Sequence, residues 1–226
     1  MAWALQSGYT VVDYTEKPRN RNEILQLSSL SLNVPAGFFQ LAAKGKLSKT
    51  NADIIERIVE IQQLTGGRPR SFSAKVDLRT KRRKYDHYWE AFPSLLLSHS
   101  TILDFEELLE LTLLQFCSYT ITPASPCVSL YEASKLKLTA YITTFAELHG
   151  ASTVETECKI WICMITTYAW RTSTNGLHPQ GQLLLTRLLQ YPLSKSMEWD
   201  KIETVLRKYF WTEDLLDFGK LHWQFS

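Results

Sequence analysis

The stretch over residues 198–211, Glu198-Trp-Asp-Lys-Ile-Glu-Thr-Val-Leu-Arg-Lys-Tyr-Phe-Trp211, decides the fold class of this chain. Trp199, Ile202, Val205, Leu206, Tyr209 and Phe210 recur at steps of three and four. Side chains at that spacing share one face of an α-helix, which takes about 3.6 residues per turn. Asp200, Lys201, Glu203, Arg207 and Lys208 fill the other face, so the spacing predicts one amphipathic helix over 198–211.

Working outward, the same signature returns. Residues 179–190 carry Leu183, Leu184, Leu185, Leu188 and Leu189, opened by Pro179 and stopped before Pro192. Residues 155–171 hold Ile160, Trp161, Cys163, Met164, Tyr168 and Trp170, and Asn175-Gly176 ends the run. A further helix is expected over 131–148, stopped by Gly150. Residues 101–117 open with Thr101 and Asp104 at capping-box spacing, and Asp104, Glu106, Glu107 and Glu110 sit where the helix dipole favours acids. The apolar residues of that run cover more than one stripe, so the helix reads as buried on two sides. Residues 48–64 carry Ile54, Ile55, Ile58, Val59 and Ile61, with Thr50 and Asp53 as a candidate capping box and Gly66-Gly67 as the stop. Strand alternation is nearly absent. Residues 9–14 read as one short strand or, better, as part of an irregular arm. The expected fold is therefore all-α. It comprises an irregular arm over 1–30 and a single domain over 31–226 of about seven to nine helices.

Composition narrows the class of function. The chain has 226 residues, 45% of them hydrophobic and 21% charged, which suits a globular protein and excludes a disordered or collagen-like one. Its 25 bases and 23 acids give a net charge of +2. That average hides an asymmetry. Residues 66–88 hold eight bases against two acids, so this segment is +6 and the remainder −4. With Gly66, Gly67 and Pro69 at its front, 66–88 reads as a long basic loop. Within it, Lys81-Arg82-Arg83-Lys84 must be solvated or paired. The run is a candidate for nuclear import or for phosphate contact, beside the plain reading of a solvated loop.

Catalytic and metal signals are weak. The four cysteines, Cys117, Cys127, Cys158 and Cys163, form no Cys-x2-Cys pair, so no metal site and no cofactor are expected. They read as free thiols in a reducing compartment. No phosphate loop, dinucleotide fingerprint or nucleophile elbow occurs. Cys163 with a distant histidine is a conceivable nucleophile pair, but it lies among Trp161, Ile162, Met164 and Ile165 and reads as a core thiol. His178, just before Pro179, reads as serving a helix N-terminus. The expectation is no catalytic residue. Met1 to Gln6 lack a basic n-region and a long apolar run, so no signal peptide is expected. The uncharged stretch between Glu110 and Glu132 is broken by Pro123 and Pro126 and makes a poor membrane span.

Seven tryptophans occur, and Trp199, Trp211 and Trp223 crowd the last 28 residues. Aromatic side chains bury large areas, so the tail reads as the closing part of the core. A partner-binding surface made of Trp199, Phe210, Trp211 and Trp223 is the second reading.

Two blocks resemble a known family. The tail from Trp199 to Trp211, followed by Gly219, Leu221 and Trp223, resembles the end of fungal zinc-cluster transcription regulators. Those often finish with a Trp-led helix, an acidic linker and a Gly and Leu-Trp close. The block Asn33-Val-Pro-Ala-Gly-Phe-Phe-Gln-Leu-Ala-Ala-Lys-Gly-Lys-Leu-Ser48 is similar to the family's Leu-Pro-x-Gly-Phe-x-x-Leu-x-x-x-Gly-x-Leu-Ser stretch. The segment with Trp161 and Arg171 falls where the family carries a Trp-containing helix.

The resemblance spans roughly residues 30–226. It implies a helical regulatory domain, nuclear or else cytoplasmic, of the kind that controls secondary-metabolite or nutrient-use gene clusters in filamentous fungi. The family's six-cysteine DNA reader has no counterpart here, because the first cysteine is Cys117. The usual coiled-coil segment is missing too. The implied partners are therefore other transcription regulators or co-regulators, with no sequence-specific DNA binding by this chain alone, no membrane, and a small-molecule effector as an option. Two other readings stay open. One is an enzyme or accessory protein of a fungal biosynthetic pathway, with a pocket joining His178, a carboxylate and Cys163. The other is a decayed gene fragment.

Overall fold

A computed structural model describes residues 34–65, 105–120, 128–144, 153–172, 176–190 and 198–224. The expected arm over 1–30 and the basic loop over 66–88 lie outside these residues. The described part is all-α, with eight helices and, among the described residues, no strand, although Arg171 and Leu177 form an isolated bridge. In chain order the helices are α1 (Ala36–Ala43), α2 (Lys49–Thr65), α3 (Phe105–Thr120), α4 (Val128–Thr144), α5 (Thr153–Ala169), α6 (Pro179–Gln190), α7 (Trp199–Leu206) and α8 (Glu213–Gln224).

Helix α5 is the hub, packed against α1, α3, α4, α6, α7 and α8. Its sequence explains why. From Ile160 to Ala169 no residue is charged and every one is buried, so no face is left for water. Glu155, Glu157 and Lys159 stand at its first turns instead. There Glu155 pairs with Lys46 at 3.1 Å and Glu157 with Lys208 at 2.7 Å. The expectation of burial on two sides holds for α3, whose residues 107–116 are all buried. Four of its core positions are polar: Thr112 donates to the Leu108 carbonyl at 2.8 Å, and Glu107, Glu110 and Gln115 are also enclosed.

Helix α1 was not foreseen as a separate element. Pro35 starts it by accepting the amides of Phe38 at 3.0 Å and Phe39 at 3.2 Å. Gly45, at φ 64°, ends it in the left-handed turn that glycine adopts without steric cost. The Lys46 amide then closes back on the Leu41 carbonyl at 2.9 Å.

Two start signals differ from those expected. The α2 cap is Ser48, whose Oγ accepts the Asn51 amide at 3.2 Å, rather than Thr50 with Asp53. The carboxylate of this cap comes from another helix: Glu106 Oε1 accepts the Ser48 amide at 3.0 Å, and the Asn51 side chain also donates to Glu106. The helix expected over 198–211 ends early, and 207–212 forms a link. α7 stops at Leu206, and the amides of Lys208 and Tyr209 close three residues back, on Val205 at 3.1 Å and Leu206 at 3.0 Å. α8 restarts after Thr212, whose Oγ1 accepts the Leu215 amide at 3.2 Å. Breaking the helix releases the carbonyls of Lys208 and Phe210 from intrahelical bonding, and both are used elsewhere.

Candidate functional site

Those two carbonyls tie together segments far apart in sequence. Phe210 O accepts the Trp161 indole Nε1–H at 2.7 Å, and Lys208 O accepts the Gly37 amide at 2.7 Å. Around them the aromatic rings interlock. Phe38 lies edge-on to Trp161 at 5.5 Å and to Tyr209 at 5.0 Å, and 5.1 Å from Phe210. Trp161 stacks on Tyr209 at 5.6 Å, and Phe116 stacks on Phe210 at 5.4 Å. Edge-on and offset rings are the arrangement that aromatic quadrupoles favour. All five rings are at most 2% exposed, so the joint is dry. Tyr209 keeps its polar end satisfied by donating its hydroxyl to the Val154 carbonyl at 3.2 Å. Burial holds its phenol far above the usual range.

A second array runs along the surface beside this joint. Trp199 Nε1–H donates to Glu203 at 3.1 Å. Glu203 in turn accepts Arg207 Nε–H at 2.8 Å, which holds its carboxyl below the usual range. The Arg207 guanidinium lies 4.1 Å over the Trp211 ring. At the other end Trp199 is 6.2 Å from Trp223. The spacing 199, 203, 207 and 211 is the i, i+4 repeat of one helical edge, carried past the helix break.

These two arrays place the expected partner-surface residues. Phe210 and Trp199 are committed to the interior, at 1% and 6% exposed, and present little surface to a partner. Both lie on the apolar face that the spacing defines, and α8 closes over it, its Gly219 leaving room for the Trp199 ring. Trp211 and Trp223 keep partial exposure, and the neighbouring Leu221 is 45% exposed. Arg207, which lies over Trp211, was not foreseen. The signal for Arg207 was its i+4 position between Glu203 and Trp211.

Lys81, Arg82, Arg83 and Lys84 lie outside the described residues. Cys163 is buried in α5, and burial pushes its thiol up to about 12. Cys158, also buried, is shifted in the same direction by desolvation, and a thiol that stays protonated is a poor nucleophile. His178 is exposed, stacks on Trp170 at 4.8 Å and accepts the Gln180 amide on Nδ1 at 3.3 Å, in keeping with its expected place at a helix start. Among the described residues no group of three or more His, Cys, Asp or Glu is placed to hold a metal ion, and no helix is long and apolar enough to cross a membrane. The chain matches no family model, no curated protein and no solved structure.

Proposed function

We propose that this chain is a non-enzymatic regulatory module of transcription that works through protein partners in the nucleus. The observation that supports the reading best is the aromatic joint. The two blocks that resemble fungal zinc-cluster regulators lie about 160 residues apart in the chain, a separation that carries a large loop-closure cost. Yet in these blocks Gly37 bonds to Lys208, and Phe38 packs against Tyr209 and Phe210 as well as Trp161. The likeness therefore lies on residues that jointly build one unit. The enzyme reading is weaker, because its nucleophile candidate Cys163 is kept protonated inside α5.

Partner contact falls to Trp211, Arg207, Leu221 and Trp223. Tryptophan and arginine are the residue types that carry most binding energy at interfaces. Here Arg207 is held in advance by Glu203, and its guanidinium lies over the Trp211 ring. Lys81 to Lys84 would direct nuclear import, and a relative that carries its own DNA reader would supply base recognition.

The test is a reporter assay with the full chain fused to an unrelated DNA-binding domain. The expected result is a severalfold change in reporter output, reversed by Trp211→Ala with Trp223→Ala while the melting temperature stays near that of the parent chain. A folded, nuclear fusion that leaves the reporter unchanged would overturn the proposal.

A further inference from the structure

We draw no further inference here: the strongest candidate, the solvent-facing leucines Leu136 on α4 and Leu183 on α6, is an unpartnered apolar helix surface, and nothing in the structure shows what covers it.

Discussion

At the scale of single residues, Gly37 is a point of close backbone approach. A Cβ there would stand 2.5 Å from the Tyr209 ring and 2.9 Å from the Lys208 carbonyl oxygen. Gly37→Ala must push apart the backbone contact that joins α1 to the 207–212 link. Overpacking of this kind costs about 1–3 kcal/mol, so the urea midpoint should fall while the m-value stays constant. An unchanged midpoint would show that the joint yields freely. The thiols make a second prediction, set by pH. Cys163 is raised from 9.0 to about 12 by burial, and Cys158 is raised as well. Below pH 9.0 both thiols are protonated, folded or unfolded, and their contribution to stability is fully present. As pH climbs from 9.0 toward 12 only the unfolded chain releases these protons. Stability should then fall by about 1.4 kcal/mol per pH unit for each thiol. Denaturant titrations at pH 8, 9.5 and 10.5 measure this, and Cys158→Ala with Cys163→Ala should reduce the slope, leaving the share of Cys117, whose thiol burial also raises to about 12. The role of Gly37 was hinted at by the Pro-Ala-Gly-Phe wording. The partner that crowds it was not, because a steric contact between residues 37 and 209 leaves no periodic trace in the sequence.

Among the elements, the start of α2 depends on a carboxylate from α3. Glu106 takes the place that the fourth residue of a capping box would fill, receiving the Ser48 amide at 3.0 Å and the Asn51 side chain. Glu106→Gln keeps the size and removes the charge. The expected cost is about 0.5–2 kcal/mol, the range of a lost helix cap. Hydrogen exchange should speed up at the first amides of α2 and not at those of α6. Equal acceleration in both helices would mean that Glu106 supports the fold globally rather than this cap. Sequence spacing located α6 at its observed bounds, since Pro179 and Pro192 bracket a leucine-rich run. It failed over 198–211 for a definite reason. Tyr209 and Phe210 carry on the apolar rhythm of α7, but burying both rings against Phe38 and Phe116 outweighs one more helical turn. Thr212 followed by Glu213 and Asp214 was the readable sign of a new start, a hydroxyl cap before two acids at the positive end of the dipole.

For the molecule as a whole, Phe38 links α1 to the rest. It is fully buried and touches Trp161, Tyr209 and Phe210 at once. Phe38→Ala should cost about 3–5 kcal/mol, a large share of the roughly 5–15 kcal/mol that holds a domain of this kind together. Chemical denaturation followed by tryptophan fluorescence reads it directly, and a loss below about 1 kcal/mol would show that the joint is peripheral. The sequence by itself determined the fold class, the core nature of the Trp161 helix and that of its thiols Cys158 and Cys163. Each of these follows from local composition: apolar spacing near 3.6 residues, absence of charge over a run, and absence of ligand spacing around cysteine. Tertiary structure alone decided which tryptophans face inward, where the last long helix breaks, and that a glutamate from α3 caps α2. Those outcomes depend on carbonyls, rings and carboxylates meeting across 50 to 170 residues of chain, and only the packed geometry brings them within bonding distance.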